Sequence, residues 1–295
     1  MTGGLGPCAL RAKADRGAAA YVGGMPHLRD ELEAALGPIY MVEREVRPVG
    51  DCRMFVVLEL PSGPELLVKV LPAPISLGVD PGMFEREVLL LADHLGHPNL
   101  VAPRGAGRAG SSVYHTRRFV EGSTLRALLT RQGEFALHRT VQILRDVLVA
   151  LAHAHAGDVA HGDLKPENVL VADGRALLVD TGMVAAIGRT LTKGGSAGAG
   201  VEAATAALCA PAYLAPERRE GGAPGPQDDV YAVGVLAHEM MTGRPPAPED
   251  DPLDEVRTVP AWFADMIRRC LTIDAAARWP HAAALIPTLS RGTWG

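Results

Sequence analysis

The stretch His161–Asn168 reads HGDLKPEN and sets a carboxylate, Asp163, an amine, Lys165, and an amide, Asn168, within six residues. Val169, Leu170 and Val171 follow as a short apolar run of strand character. A tight polar loop handing over to a buried strand fixes three such groups toward one point. Their types suit phosphoryl transfer: a carboxylate receives the acceptor's hydroxyl proton, a cation faces the migrating group, and an amide oxygen helps hold a metal. A charged surface loop is the plain alternative, so the rest of the chain decides. Twelve residues after Asn168 comes Asp180, in LLVDTG at the end of an apolar run. Lys69 lies far upstream inside the apolar run LLVKVL, where an ammonium is costly unless paired. Ala215-Pro216-Glu217 follows downstream.

These residues need elements to carry them. Tyr40–Val46, Met54–Leu60 and Leu66–Leu71 read as strands, the last after a Pro61–Pro64 turn. Asp80-Pro81 opens a helix as N-cap and first-turn proline, and Gly96 and Pro98 end it. Phe84, Val88, Leu91 and Leu95 share one face of it. Glu87 lies close to that face and is the candidate partner of Lys69, whereas Glu85 points elsewhere. Ser112–Phe119 reads as a further strand. Arg139–His155 reads as a helix with the stripe Val141, Leu144, Leu148, Leu151, His155. His153 and His155 stand two apart on it and face different ways, which argues against a metal pair. Asp229–Met241 is apolar nearly all round, as a central core helix should be, with Asp229 as its cap. Helices near Ala261–Leu271 and His281–Leu289 close the chain, with no sensor, span or repeat expected after them. At the other end, residues 1–24 read as a flexible Gly/Ala-rich arm, Met25 as a candidate start, and His27–Leu36 as a short helix.

The 295 residues are 47% hydrophobic, enough for a packed core, and the formal charge of −5 argues against nucleic acid as the main partner. The four cysteines, Cys8, Cys52, Cys209 and Cys270, are scattered, which fits a reducing compartment without disulfides or zinc. No apolar run has the length of a membrane span and the start lacks a signal-peptide core. A soluble, cytoplasmic protein is expected.

In this order the motifs resemble the protein kinase family, Ser/Thr branch, bacterial type, over about residues 39–290. The resemblance implies an α+β, bilobal fold. A small antiparallel sheet lobe with one main helix spans residues 39–119, a larger mostly helical lobe spans 120–290, and residues 1–38 are an extension. It implies ATP and Mg²⁺ as cofactors and protein Ser/Thr hydroxyls as acceptors. Asp163 becomes the base and Lys165 the cation on the transferring group. Lys69, held by Glu87, grips the α/β-phosphates; Asn168 and Asp180 hold the metal; Val49, Gly50, Leu67 and Leu170 surround the nucleotide. It also pairs Glu217 with a buried Arg278 and returns Asp229 to the catalytic loop.

The departures are specific. Of three glycines over the phosphates only Gly50 survives, with Arg47 and Arg53 as alternative sources of charge. Leu67 replaces a small residue over adenine. Arg117 stands at the back of the adenine pocket, where it either swings out to an acid or marks a register shift. Gly162 replaces the arginine that meets an activation-loop phosphate, which predicts activity independent of that phosphorylation. Thr181 replaces a phenylalanine, and Ala210 a threonine. Residues 183–208 read as a long activation segment with Thr190, Thr192, Ser196 and Thr205 as candidate phosphosites. Two further readings stay open: a pseudokinase or weak nucleotide-binding scaffold, and a small-molecule phosphotransferase.

Overall fold

The computed structural model describes residues 26–191, 197–247 and 259–291. The expected arm at residues 1–24, Met25, Thr192 and Ser196 lie outside them. Helix α1 (Pro26–Leu36) leads into β1 (Tyr40–Val49), β2 (Cys52–Glu59), β3 (Glu65–Val70), a turn of helix α2 (Ala73–Ser76) and α3 (Pro81–His94). The short β4 (Leu100–Val101) precedes β5 (Pro103–Ala109) and β6 (Ser112–Arg118). Five of these strands form an antiparallel sheet in the order β1-β2-β3-β6-β5. The β-branched and aromatic residues of β2 and β3 suit a sheet covered on both sides. Val57, Val68 and Val70 pack beneath Leu28 and Leu32 of α1, while α3 buries Phe84, Val88 and Leu91. Asp80 caps α3 by accepting the Met83 N–H at 2.7 Å. Strand β5, PRGAGRA, carries almost no strand propensity; its pairing with β6 makes it a strand.

The second half adds β7 (Ser123–Thr124), α4 (Leu125–Gln132), α5 (Leu137–Ala156), β8 (Val169–Ala172) and β9 (Arg175–Val179). The parallel pairing of β4 with β9, through Leu100–Leu178 and Val101–Val179, ties the two halves together. Helices α6 (Met183–Thr190), α7 (Ala197–Leu208), α8 (Pro216–Arg219), α9 (Pro226–Thr242), α10 (Ala261–Cys270) and α11 (Ala282–Arg291) complete the larger half. Helix α9 is buried on all sides, and at Gly234 an added Cβ would lie 2.6 Å from the Cys270 Cβ, so only glycine admits α10 this closely.

One expectation is corrected here. The core helix starts at Pro226, capped by Gly225, so Asp229 lies within its first turn rather than at its cap. The segment 183–208 holds two packed helices, α6 and α7. Gly188 and Gly200 let them touch, since a Cβ on Gly200 would fall on the Gly188 carbonyl oxygen.

Candidate active site

The loop between α5 and β8 is anchored from below. Asp229, almost fully buried, accepts the His161 N–H at 2.7 Å and the Gly162 N–H at 3.0 Å, and the His155 ring lies 2.8 Å from the same carboxylate. Gly162 takes φ +77°, a turn that an L side chain would strain. Held this way, the loop presents its polar groups as one cluster. The Asp163 carboxylate lies 2.7 Å from Lys165 Nζ and accepts from Asn168 Nδ2 at 3.0 Å, while Asn168 also donates to the Asp163 carbonyl at 2.8 Å. Lys165 donates in addition to the Leu208 carbonyl at the end of α7, at 2.9 Å.

Across from this cluster, Lys69 Nζ on β3 lies 2.5 Å from Asp180 Oδ2. Burial by itself would raise the Asp180 carboxyl. Lys69, with His115 and Arg117 behind it, outweighs burial and holds it well below the usual carboxylate range. The Lys69 amine, likewise buried, is held above its ordinary value chiefly by Asp180. Asp180 adopts φ +61°, uncommon for a non-glycine residue. Its second oxygen, Oδ1, is buried, has no hydrogen-bond partner, and lies 3.9 Å from Arg117 Nε. A buried oxygen of that kind suits a hard cation. Among the described residues no group of three or more His, Cys, Asp or Glu side chains forms a metal cage. A Mg²⁺ here would therefore draw its other ligands from Asn168, water and phosphate oxygens, which is how that ion is usually held.

Beside these charges opens a cleft of about 500 Å³, lined among others by Val49, Gly50, Leu67, Arg117, Val120 and Leu170. The four residues expected around a nucleotide thus line one cleft. The flap above it is a tight hairpin: β1 and β2 stay paired through Val49 and Cys52, leaving only Gly50-Asp51 as the turn. Arg53 makes a bidentate pair with Glu45 at 2.8 and 2.9 Å, which directs it to the flap, whereas Arg47 borders the cleft.

The description "Protein kinase domain" matches residues 65–286. The chain belongs to the protein kinase domain family. This kinase domain is 34% identical over 229 residues to "Serine/threonine-protein kinase PknL" of Mycobacterium bovis, covering 76% of this chain and 55% of that protein. It is 31% identical over 156 residues to "Serine/threonine-protein kinase PrkC" of Bacillus subtilis, covering 52% of this chain and 23% of that protein. The kinase domain thus spans little more than half the length of PknL. Among solved structures, the Mycobacterium tuberculosis PknI kinase domain superposes with a TM-score of 0.68 at 22% identity, covering 86% of this chain and 96% of that one. At that identity the likeness speaks for the bilobal fold alone.

In this kinase domain one expected contact is replaced. Glu87 does not meet Lys69; its carboxylate takes Arg189 of α6, at 2.7 Å from Nε and 2.6 Å from Nη2. The reason is electrostatic. Asp180 already satisfies the buried ammonium at short range, and the half-exposed Arg189 reaches Glu87 with little loss of hydration. Arg117 turns inward, buried against Asp180, rather than swinging out. Thr190 and Thr205 are both buried, and Thr205 accepts from Arg218 at 2.7 Å.

The pairing of Glu217 with buried Arg278, at 2.6 and 2.9 Å, matches what the resemblance implied. Sequence reasoning missed a second, partly buried network. Arg126 of α4 donates to Glu167 at 2.7 Å, Glu239 at 2.6 Å and the Tyr213 oxygen at 2.6 Å, and the Tyr213 hydroxyl donates to Glu239 at 2.5 Å. No spacing rule links four residues on four elements; the one available signal was Glu239 inside an otherwise apolar helix.

Proposed function

We propose that this domain is an ATP-dependent Ser/Thr protein kinase that moves the γ-phosphoryl group of ATP to a protein hydroxyl. The observation that carries the reading is the hydrogen-bonded Asp163–Lys165–Asn168 cluster together with the buried ion pair of Lys69 and Asp180. Asp163 accepts the proton of the acceptor hydroxyl. Lys165 steadies charge on the transferring group. Lys69 binds the α/β-phosphates, with Val49, Gly50, Leu67 and Leu170 enclosing the nucleotide. Asn168 and Asp180 supply oxygens to Mg²⁺, which neutralises phosphate charge when bound. Positioning and neutralisation account for most of the catalysis in such a site. A division into lobes at 39–119 and 120–290 belongs to the same proposal. So does a cytoplasmic location, supported by three free thiols, Cys52, Cys209 and Cys270. No helix among the described residues is long and apolar enough to cross a membrane.

Asp163→Asn tests this reading. Loss of a positioned base should lower ATP/Mg²⁺-dependent phosphorylation of a generic Ser/Thr protein by roughly 10²–10⁴-fold. Equal rates for the two proteins would remove Asp163 from its role, and transfer to small alcohols in preference to protein would favour a small-molecule phosphotransferase. A scaffold with little catalysis is the second reading. It is supported by the pairs that hold Lys69 on Asp180 and Glu87 on Arg189, neither of which suits transfer. Gly162 supplies no cation to an activation-loop phosphate. Phosphatase treatment should therefore leave turnover unchanged, and a loss restored by rephosphorylation would contradict that.

A further inference from the structure

Arg117 is a buried cation for which phosphoryl transfer as described has no use. It lies on β6 opposite Leu67, with a side chain only 10% exposed, in the wall of a cleft also lined by Leu67, Val120 and Leu170 and, among charged residues, by Arg47, Arg126 and Glu167. An apolar side chain would fill such a wall without the cost of burying a guanidinium. The carboxylate nearest to it, Asp180, already holds Lys69 at 2.5 Å and meets Arg117 only at 3.9 Å. The neighbouring His115, protonated or not, offers no negative charge. Asp163 is engaged by Lys165 and Asn168, and Glu87 has left for Arg189.

Lys69 and Arg117 therefore share Asp180, one cation in excess, while Lys165 is matched by Asp163 and, on the cleft lining, Arg126 by Glu167. A surplus buried positive charge calls for an anion, and a nucleoside polyphosphate brings several negative charges to this cleft. From this charge balance we infer that Arg117 is a resident counter-cation for the nucleotide phosphates, so that the cleft binds ATP without a divalent metal. The inference rests on the nucleotide reading above. It also assigns Mg²⁺ to the transfer step more than to binding, since Asp180 arrives already faced by two cations.

Isothermal titration with ATP, in EDTA and in excess Mg²⁺, tests this on the whole chain and on Arg117→Met and Arg117→Lys. Wild type should bind ATP in EDTA within about threefold of its affinity in Mg²⁺. Arg117→Met should lose roughly tenfold or more in EDTA, the scale of one charge-assisted hydrogen bond, and Arg117→Lys should keep most of the EDTA affinity. Adenosine, which has no phosphate, should bind wild type and Arg117→Met alike; an equal loss for adenosine would trace the effect to packing and overturn the inference. Binding of ATP by wild type only in Mg²⁺, or unchanged EDTA affinity in Arg117→Met, overturns it too while leaving the kinase reading intact. No binding under either condition sinks both. Thermal melts of the variants show that each folds.

Discussion

At the scale of single residues, the back of the cleft is a set of buried charges whose states depend on one another. Lys69 and Asp180 remain ionised because each is the other's solvent substitute. His115, edge-on to Phe84, pays for the same burial by staying neutral. An ordinary imidazole titrates near 6.5, and this one is pushed down to about 4. Between those values the unfolded chain binds the proton that the folded chain refuses. The stability His115 permits is thus complete above 6.5 and is lost as pH falls toward 4, by about 3 kcal/mol in all. Replacing it with leucine should flatten the urea midpoint over that window relative to wild type. A variant with the same acid sensitivity would place the titrating group elsewhere.

At the scale of elements, α6 and α7 set the state of the site. Helix α6 carries the arginine that draws Glu87 away from Lys69, and the end of α7 holds Lys165 through the Leu208 carbonyl. The half-exposed Arg189–Glu87 pair contributes only about 0.5 kcal/mol, so Arg189→Ala should raise the share of molecules with Glu87 free by about two- to threefold. Gly200→Ala should act more strongly, because the new Cβ falls on the Gly188 carbonyl oxygen and the two helices must part. Both variants should show faster amide exchange in α6 and higher ATP turnover, in that order of effect. Unchanged exchange in Gly200→Ala would mean that this packing does not restrain α6.

At the scale of the molecule, the larger lobe is tied together by buried polar contacts as well as by its apolar core. Arg278 is fully buried, donates to Glu217, and also donates to the carbonyls of Thr272 and Ile273. Arg278→Ala leaves Glu217 and the carbonyls of Thr272, Ile273 and Gln227 without their donor and should cost about 3–5 kcal/mol in a denaturant titration. A loss under 1 kcal/mol would show the pair to be solvated in practice.

Much of this was legible in one dimension. Strand and helix periodicity located the sheet, α3, α5 and α9, because each must bury one face or all of itself. The cluster Asp163–Lys165–Asn168 was legible because its members are neighbours in sequence and a short loop leaves them few ways to diverge. The glycine- and arginine-rich β5 was not, since its partner strand alone makes it a strand. By itself, the sequence determined which charged groups this protein carries and in what order they arrive. Only the tertiary structure decided which of them pair. Lys69 was expected to meet Glu87 and instead took Asp180, 111 positions away, leaving Glu87 to an arginine 102 positions off. That choice depends on distances and hydration that exist only once the lobes have closed, so no spacing along the chain encodes it.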